Sequence, residues 1–548
     1  MDRWCVSSGQ WVNAQIIKRS LPRLHLHFLT PFKYRILLRS LFLFYRNQSS
    51  RSKIYLGEWG IQILSMGVFL FWASSVTAIS PVMPLKLSQN GDYANQSFCP
   101  TEFATEIETL LQRSEFVRSY WGIFIAEEKT QAVLYQHNAD QLFVPASNTK
   151  LLTTAAALLT LGPNYQLQTP FYGQGQAPVL EALTIIAQGD PTLTRDSLTA
   201  IAAQLQTKGI TAIKTLVLED NSAPENRLNP TWEWEDIHYD YAPPINRAIL
   251  NQNTVTLTLT GKKIGEPAQI TWSEPLAAQQ WQVVNQTRTV AANPSQNIQI
   301  QGLLAQNTLV VTGELSLGSQ EINGVAIPDP TLYFLQTFQQ LLKQQGIQVD
   351  RVMMTNQANL DRTQIPLLTI TSPKLGTMIQ TTNQDSNNLY AESLLNLLNP
   401  LHKAGSEPVK TALQSLGLDP NTYFLKDGSG LSRQNLVSPR LLGQLLLQIN
   451  KTPFAKTYQD SLAIAGQNGT LKNRFLQTAL VGKLQAKTGT LSGITSLAGY
   501  LANIQNQTLI FSILVNNSDR TAPELRQTID QILQKAYTLQ PCAISHTP

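Results

Sequence analysis

Ser147 and Lys150 stand three residues apart in the stretch VPASNTKLLTTAAALLTLGP, residues 144–163. A polar turn opens an almost wholly apolar run that Gly162 and Pro163 close, which predicts a buried helix of about four turns. Capping explains a serine or asparagine ahead of such a run. It does not explain a lysine in the first turn, where the helix dipole disfavours a cation. The i, i+3 spacing puts both side chains on one face, within hydrogen-bond reach. An amine stripped of water near a helix N-terminus loses basicity, and in its neutral form it can take the proton of a serine. The chemistry on offer is therefore nucleophilic attack by Ser147, with Lys150 as general base and no histidine needed. Spacing alone does not establish it, because Ser50 and Lys53 repeat the pattern in a basic stretch where catalysis is implausible.

Two further motifs follow in order. NQDSNNLYAESLL holds Ser386-Asn387-Asn388, and LQAKTGTLSG holds Lys487-Thr488-Gly489. An S-x-N triplet is common, and Ser88/Asn90 and Ser295/Asn297 also match it as polar turns. Lys-Thr-Gly occurs once, and its plain reading is a strand with a glycine where backbone packs closely. Taken together, a substrate ending in a carboxylate needs a cation and hydroxyls, which Lys487, Thr488 and Thr490 offer along one strand edge. Gly489 would let substrate backbone approach that edge. Ser386 can pass a proton to a leaving amine, and Asn388 can orient Lys150 or a substrate amide. The backbone N–H groups of Ser147 and Thr490 are candidates for an oxyanion hole.

The order S-x-x-K, S-x-N, K-T-G resembles the signature of penicillin-recognising serine enzymes. Ser147 and Ser386 are 239 positions apart in the sequence, far more than a β-lactamase domain needs. That insertion and the surrounding text resemble the D-alanyl-D-alanine carboxypeptidase/endopeptidase family, the class C low-molecular-mass penicillin-binding proteins. The matching stretches run from about Phe143 to Asn516 and include GDPTL (189–193), TWEWEDIHYDYAPPINRAILNQN (231–253), NQDSNNLYAE (383–392), DGSGLSRQNLVSP (427–439), AGQNGTLKNRF (465–475) and AKTGTLSGITSLAGY (486–500). Asn387 stands where the family usually has Asp.

The resemblance implies an α+β chain: a penicillin-binding, β-lactamase-like transpeptidase domain interrupted by two extra domains. It implies serine-type D-Ala-D-Ala carboxypeptidase or DD-endopeptidase action on peptidoglycan stem peptides, inhibition by β-lactams, and no cofactor. Rival readings are a β-lactamase or esterase with the same motifs, and a non-catalytic wall-binding protein. The insertion argues against the first, and the intact Ser147, Lys150, Ser386 and Lys487 against the second. Asp427 and Arg474 recur in the family's motifs and are assigned structural roles outside the site. The tyrosines near NPTWEWED are likewise placed outside it.

Texture along the chain gives the elements that must position these groups. Residues 1–78 read as a basic leader and 79–100 as a polar linker. Residues 101–165 read as the first part of the transpeptidase-like domain, with helix TEFATEIETLLQRSEF and two strands in YWGIFIAEEKTQAVLYQHNADQLF. Residues 166–365 read as a strand-rich insertion with an inner subdomain at about 235–322, and PTLYFLQTFQQLLKQQGIQV within it as a helix. Residues 366–548 complete the first domain, with SLAGYLA and TLIFSILVN flanking a hairpin turn.

Charged residues are 14% of the 548-residue chain, hydrophobic ones 43%, and the formal net charge is +5. Ten of the 41 Lys/Arg and only two of the 36 Asp/Glu fall in residues 1–78, so the remainder holds 31 basic and 34 acidic side chains, a net of −3. Charge therefore gives nucleic-acid binding by the folded part no support. The basic leader runs into the uncharged stretch 61–78, IQILSMGVFLFWASSVTA. That pattern predicts export to the periplasm or cell envelope, with cleavage after Ala78 or retention as a membrane anchor. Cys99 and Cys542 would remain in the exported part, and an oxidising compartment permits a disulfide between them or two separate thiols. The six histidines, 25, 27, 137, 238, 402 and 546, do not cluster, and no metal-site spacing occurs.

Overall fold

The computed structural model describes residues 3–5, 11–13, 98–222, 227–292, 297–399 and 406–540. Two compact units divide the chain at Gln89/Asn90. In the first, β1 (Arg3–Cys5) pairs antiparallel with β2 (Trp11–Asn13). The rest of the first unit, including the apolar stretch 61–78, lies outside the described residues. Among the described residues no helix is long and apolar enough to cross a membrane.

In the second unit, the sheet that carries the motifs has six strands. They are β3 (Tyr120–Glu127), β4 (Val133–His137), β16 (Ala463–Ile464), β17 (Leu484–Leu491), β18 (Ile494–Ala502) and β19 (Thr508–Asn516). Their order is β16-β17-β18-β19-β3-β4, antiparallel throughout. Distant parts of the sequence meet here, because β3 pairs along its whole length with β19. Helices cover both faces of the sheet, so β18 and β19 are buried almost end to end. On one face the Thr149–Leu161 helix packs with Leu375–Gln384, Asn388–Leu398 and Pro439–Ile449. On the other lie Pro100–Leu111 and Ala522–Tyr537. The first of these helices stops at Leu111, earlier than the apolar pattern suggests, and turns follow to Ser119.

A five-stranded sheet is drawn from residues 168–371. It comprises β5 (Gln168–Gln176), β6 (Val179–Ile186), β7 (Ala212–Glu219), β14 (Gln348–Thr355) and β15 (Leu368–Thr371), in the order β14-β7-β6-β5-β15. Strands β6, β7 and β14 run parallel, with the Arg195–Thr207 helix as one crossover. Two three-stranded sheets lie within residues 254–326. One joins β8 (Thr254–Thr260), β9 (Gln269–Trp272) and β13 (Gln320–Ala326), and the other joins β10 (Gln282–Val290), β11 (Gln299–Gly302) and β12 (Thr308–Ser316). One apolar core runs through all three sheets. The helix read through to QGIQV ends at Gln344 instead. Gly346, at φ +76°, closes it, and β14 begins at Gln348.

Cys99 is disulfide-bonded. Its neighbour Phe98 pairs with Leu539, bringing the two ends of the described second unit together. Cys542 lies outside the described residues.

Candidate active site

Ser147 sits on a single tight turn, Ala146–Asn148, that leads into the Thr149–Leu161 helix. Three side chains clamp the approach to it. Asn516, at the end of β19, accepts from Val144 N (2.8 Å) and donates to Val144 O (3.0 Å). Ser496 on β18 donates to Pro145 O at 2.8 Å, and Thr149 donates to Ala146 O at 2.9 Å. Ala146 is thereby held at φ +50°, a left-handed conformation unusual for alanine. Gly489 makes room for this turn. A Cβ there would lie 2.2 Å from Ser496 Oγ and 2.8 Å from Pro145 O. The expected role of Gly489, admitting substrate backbone, thus has a different structural basis: the protein's own turn occupies that side of the strand.

Lys150 is fully buried and reaches three oxygens. Its Nζ lies 2.6 Å from Asn388 Oδ1, 2.6 Å from Ser429 O and 3.0 Å from Ser147 Oγ. The Asn388 amide has its orientation fixed, because its Nδ2 donates to Tyr241 O at 2.7 Å. The two shorter contacts go to carbonyl oxygens, which can only accept. The longer one goes to a hydroxyl, which can donate. A neutral amine has two N–H donors and one lone pair, so the pattern leaves the lone pair for the Ser147 O–H. Burial is the largest influence on Lys150 and lowers its pKa from the ordinary lysine value to about 7, although Asp427 and Glu392 pull it upward.

The loop behind Lys150 is built on two buried acids. Glu392 lies four residues beyond Asn388 on the Asn388–Leu398 helix, on the same face. It accepts from Gly428 N (3.0 Å) and Ser429 N (2.8 Å), which turns the Ser429 carbonyl toward Lys150. Burial, and secondarily Asp427, raise the Glu392 pKa to about 8. Asp427 accepts from Trp232 Nε1 (2.9 Å), Gly430 N (2.8 Å), Ser432 N (2.6 Å) and Asn435 Nδ2 (2.6 Å). Gly430 has φ +85°, and a Cβ there would lie 1.9 Å from Ala146 O, so the loop touches the Ser147 turn directly.

Ser386 is held at φ +60° and faces Lys487, whose Nζ donates to its Oγ and to Thr488 O, both at 2.8 Å. Burial, with the nearby Lys150, pushes Lys487 well below the ordinary lysine range. On β17, Lys487 and Gly489 point to the buried side, while Thr488 and Thr490 line an open cleft. That cleft has a volume of about 660 Å³, and Ser147 and Ser386 share its wall with Arg474, Arg526 and Asp530. Asn387, between the two site residues of its motif, caps the following helix by accepting from Tyr390 N (3.0 Å). Its amide donates to Gln252 Oε1 of the insertion at 2.6 Å, a bond an aspartate could not make.

The three sequence motifs therefore converge, and all eight expected site residues lie together. Asp427 keeps the structural role expected of it, shaping the loop behind Lys150, and one assignment changes: Arg474 lines the cleft. The insertion also enters the site, through Tyr241 O and Gln252. Ser429 and Tyr241 contribute backbone carbonyls, which carry no side-chain signal, and Glu392 was visible only as part of the NQDSNNLYAE stretch.

Residues 103–536 match the D-Ala-D-Ala carboxypeptidase 3 (S13) family. The D-alanyl-D-alanine carboxypeptidase of Actinomadura sp. (strain R39) is 30% identical over 447 residues, covering 77% of this chain and 82% of that protein. The crystal structure of penicillin binding protein 4 from Haemophilus influenzae superposes with a TM-score of 0.68 at 25% identity, covering 79% of this chain and 98% of that one. The same protein complexed with a β-lactam superposes with a TM-score of 0.64 at 25% identity, with the same coverage.

Proposed function

Because the chain belongs to the D-Ala-D-Ala carboxypeptidase 3 (S13) family, we propose that it is a serine-type D-Ala-D-Ala carboxypeptidase and endopeptidase of peptidoglycan stem peptides, with Ser147 as nucleophile. The observation that carries the assignment of roles is the Lys150 contact set: Nζ lies against two carbonyl oxygens and the Ser147 hydroxyl, so in its neutral form the amine can donate to the carbonyls and accept the Ser147 proton. Lys150 takes the Ser147 proton as Oγ attacks the carbonyl carbon of the penultimate D-alanine. The oxyanion that forms is received by the backbone N–H groups of Ser147 and Thr490. As the C–N bond breaks, the leaving amine gains a proton from Ser386, and the proton that Lys150 took from Ser147 replaces it, which leaves Lys150 neutral again. Water then attacks the ester on Ser147, giving its proton to Lys150, which returns it to Ser147 Oγ as the shortened stem leaves. Asn388 positions Lys150, while Thr488 and Thr490 bind the substrate.

The same steps cut a D-alanyl cross-link when the leaving amine belongs to a neighbouring stem. A β-lactam presents a similar acyl group to Ser147, and its fused ring delays hydrolysis. Stem peptides lie outside the cytoplasmic membrane, and the basic leader ahead of the uncharged stretch 61–78 supports export or anchoring there.

Free D-alanine released from a stem pentapeptide, measured from pH 5 to 9, tests the reading. The base must be neutral, so kcat/KM rises as pH increases through about 7 and levels off above it. A rate that stays flat across this range, or falls as pH rises through 7, contradicts Lys150 as the base.

A further inference from the structure

The S-x-N motif is held from the insertion at two points. Asn388 Nδ2 donates to Tyr241 O at 2.7 Å, and Asn387 Nδ2 donates to Gln252 Oε1 at 2.6 Å. The two acceptors are tied together. Asn253 donates from Nδ2 to Pro244 O at 2.9 Å and to Asn246 Oδ1 at 2.8 Å, which fastens the Gln252 turn to the segment that follows Tyr241. Gln252 itself sits on unusual backbone. Asn251, Gln252 and Asn253 have φ of +50°, +57° and +56°, three successive left-handed residues with no glycine among them. Asparagine enters this region comparatively readily, whereas glutamine does not. The flanking asparagines also hold the turn, since Asn251 accepts from Arg195 N at 3.1 Å and donates to Tyr333 Oη at 2.8 Å. The middle position therefore bears a backbone cost that glycine or asparagine would reduce. What glutamine adds is the reach to Asn387. The Asn387 amide has no freedom to turn over, because its Oδ1 accepts from Tyr390 N at 3.0 Å and so leaves Nδ2 facing Gln252. On the other side of Asn387, Ser386 is left-handed as well, at φ +60°.

We propose that Gln252 is a positioning residue for acylation, which fixes Asn387 and thereby aims its neighbours Ser386 and Asn388 at the reacting atoms. The proposal rests on the reading that Ser147 is acylated with Ser386 and Asn388 taking part. Gln252 acts only through Asn387 and touches no reacting group. The insertion is then part of the working site, because a turn 135 positions earlier in the sequence supports the second motif. The bond also sets which residues fit at its two ends. Glutamine at 252 accepts from an asparagine at 387 through Oε1, and with its amide turned over it donates from Nε2 to an aspartate there. Glutamate at 252 has no donor, so it suits the asparagine alone.

The test measures acylation at pH 8 by a fluorescent penicillin over a range of concentrations, with a thermal melt of each protein. The set is the wild type, Gln252→Leu, Gln252→Glu, Asn387→Asp and the double variant Gln252→Glu with Asn387→Asp. Gln252→Leu should lower the maximal acylation rate about 5- to 30-fold, the loss of one hydrogen bond with its donor left unpaired. The half-saturating concentration should change by less than about threefold, since Gln252 does not touch the penicillin. Gln252→Glu and Asn387→Asp should each keep more than about a third of the wild-type rate, because each pair still forms its bond. The double variant sets two carboxylates against each other, and its rate should fall at least as far as that of Gln252→Leu, well beyond the product of the single effects. A residue that only stabilised the fold would move the melting temperatures and leave the rates alike. A wild-type rate in Gln252→Leu, or a double variant equal to the product of the singles, overturns the proposal while leaving the cleavage reading intact. If Gln252→Leu does not fold, the comparison of the double variant with the two singles decides alone. A folded wild-type protein that penicillin does not acylate overturns the cleavage reading, and this proposal with it.

Discussion

Replacing Lys150 by methionine is expected to slow acylation of Ser147 by about a thousandfold, within the range that a general base contributes. Methionine is unbranched and apolar and suits a fully buried site, so the protein should remain folded. Some stability is lost, because Asn388 Oδ1 and Ser429 O each lose a donor. A second variant separates charge from basicity. Lys150→Arg keeps the cation but cannot release a proton, so it should be as slow as Lys150→Met. Stopped-flow acylation by a fluorescent penicillin, with a thermal melt of each variant, measures both effects. Retention of more than a tenth of the wild-type rate by either variant would show that the Ser147 proton goes elsewhere.

Asp427→Ala should be the most destabilising single change near the site, at about 3–5 kcal/mol. The carboxylate is 1% exposed and accepts from the Trp232 indole, two backbone N–H groups and the Asn435 amide. Alanine leaves all of these donors buried without an acceptor. The loop they shape holds Ser429 O against Lys150, so acylation should fall as well, even in molecules that stay folded. Asp427→Asn keeps the volume but turns an N–H₂ toward donors, and should cost roughly half as much. Denaturant unfolding followed by tryptophan fluorescence suits the measurement because Trp232 is one of the partners. A midpoint within experimental scatter of the wild type would remove Asp427 from this structural role.

Both predictions concern residues whose importance was unevenly legible in the sequence. Ser147, Lys150, Ser386, Asn388 and Lys487 could be picked out because three short motifs require particular side chains at fixed spacings. The strands and helices around them follow from alternation and i, i+4 periodicity. Ser429 and Tyr241 act through backbone carbonyls, which any residue could supply. Their contacts with Lys150 and Asn388 span 279 and 147 positions of sequence. Arg526 sits on an ordinary amphipathic helix, and only the folded chain places it beside Thr490. The strand-rich texture of residues 166–365 could not show that β6 and β7 run parallel. Gly489 illustrates the limit from the other side. Its type was informative, yet its reason is the approach of Pro145 from the Ser147 turn rather than the passage of substrate.

The central claim is that Ser147 forms the acyl-enzyme, with Lys150 as its base. The most direct measurement incubates the protein with a labelled penicillin and maps the adduct by peptide mass spectrometry. The account predicts a single long-lived adduct on the peptide containing Ser147, absent from Ser147→Ala and formed faster as pH rises through about 7. An adduct on any other residue, or none from a folded sample, would contradict it.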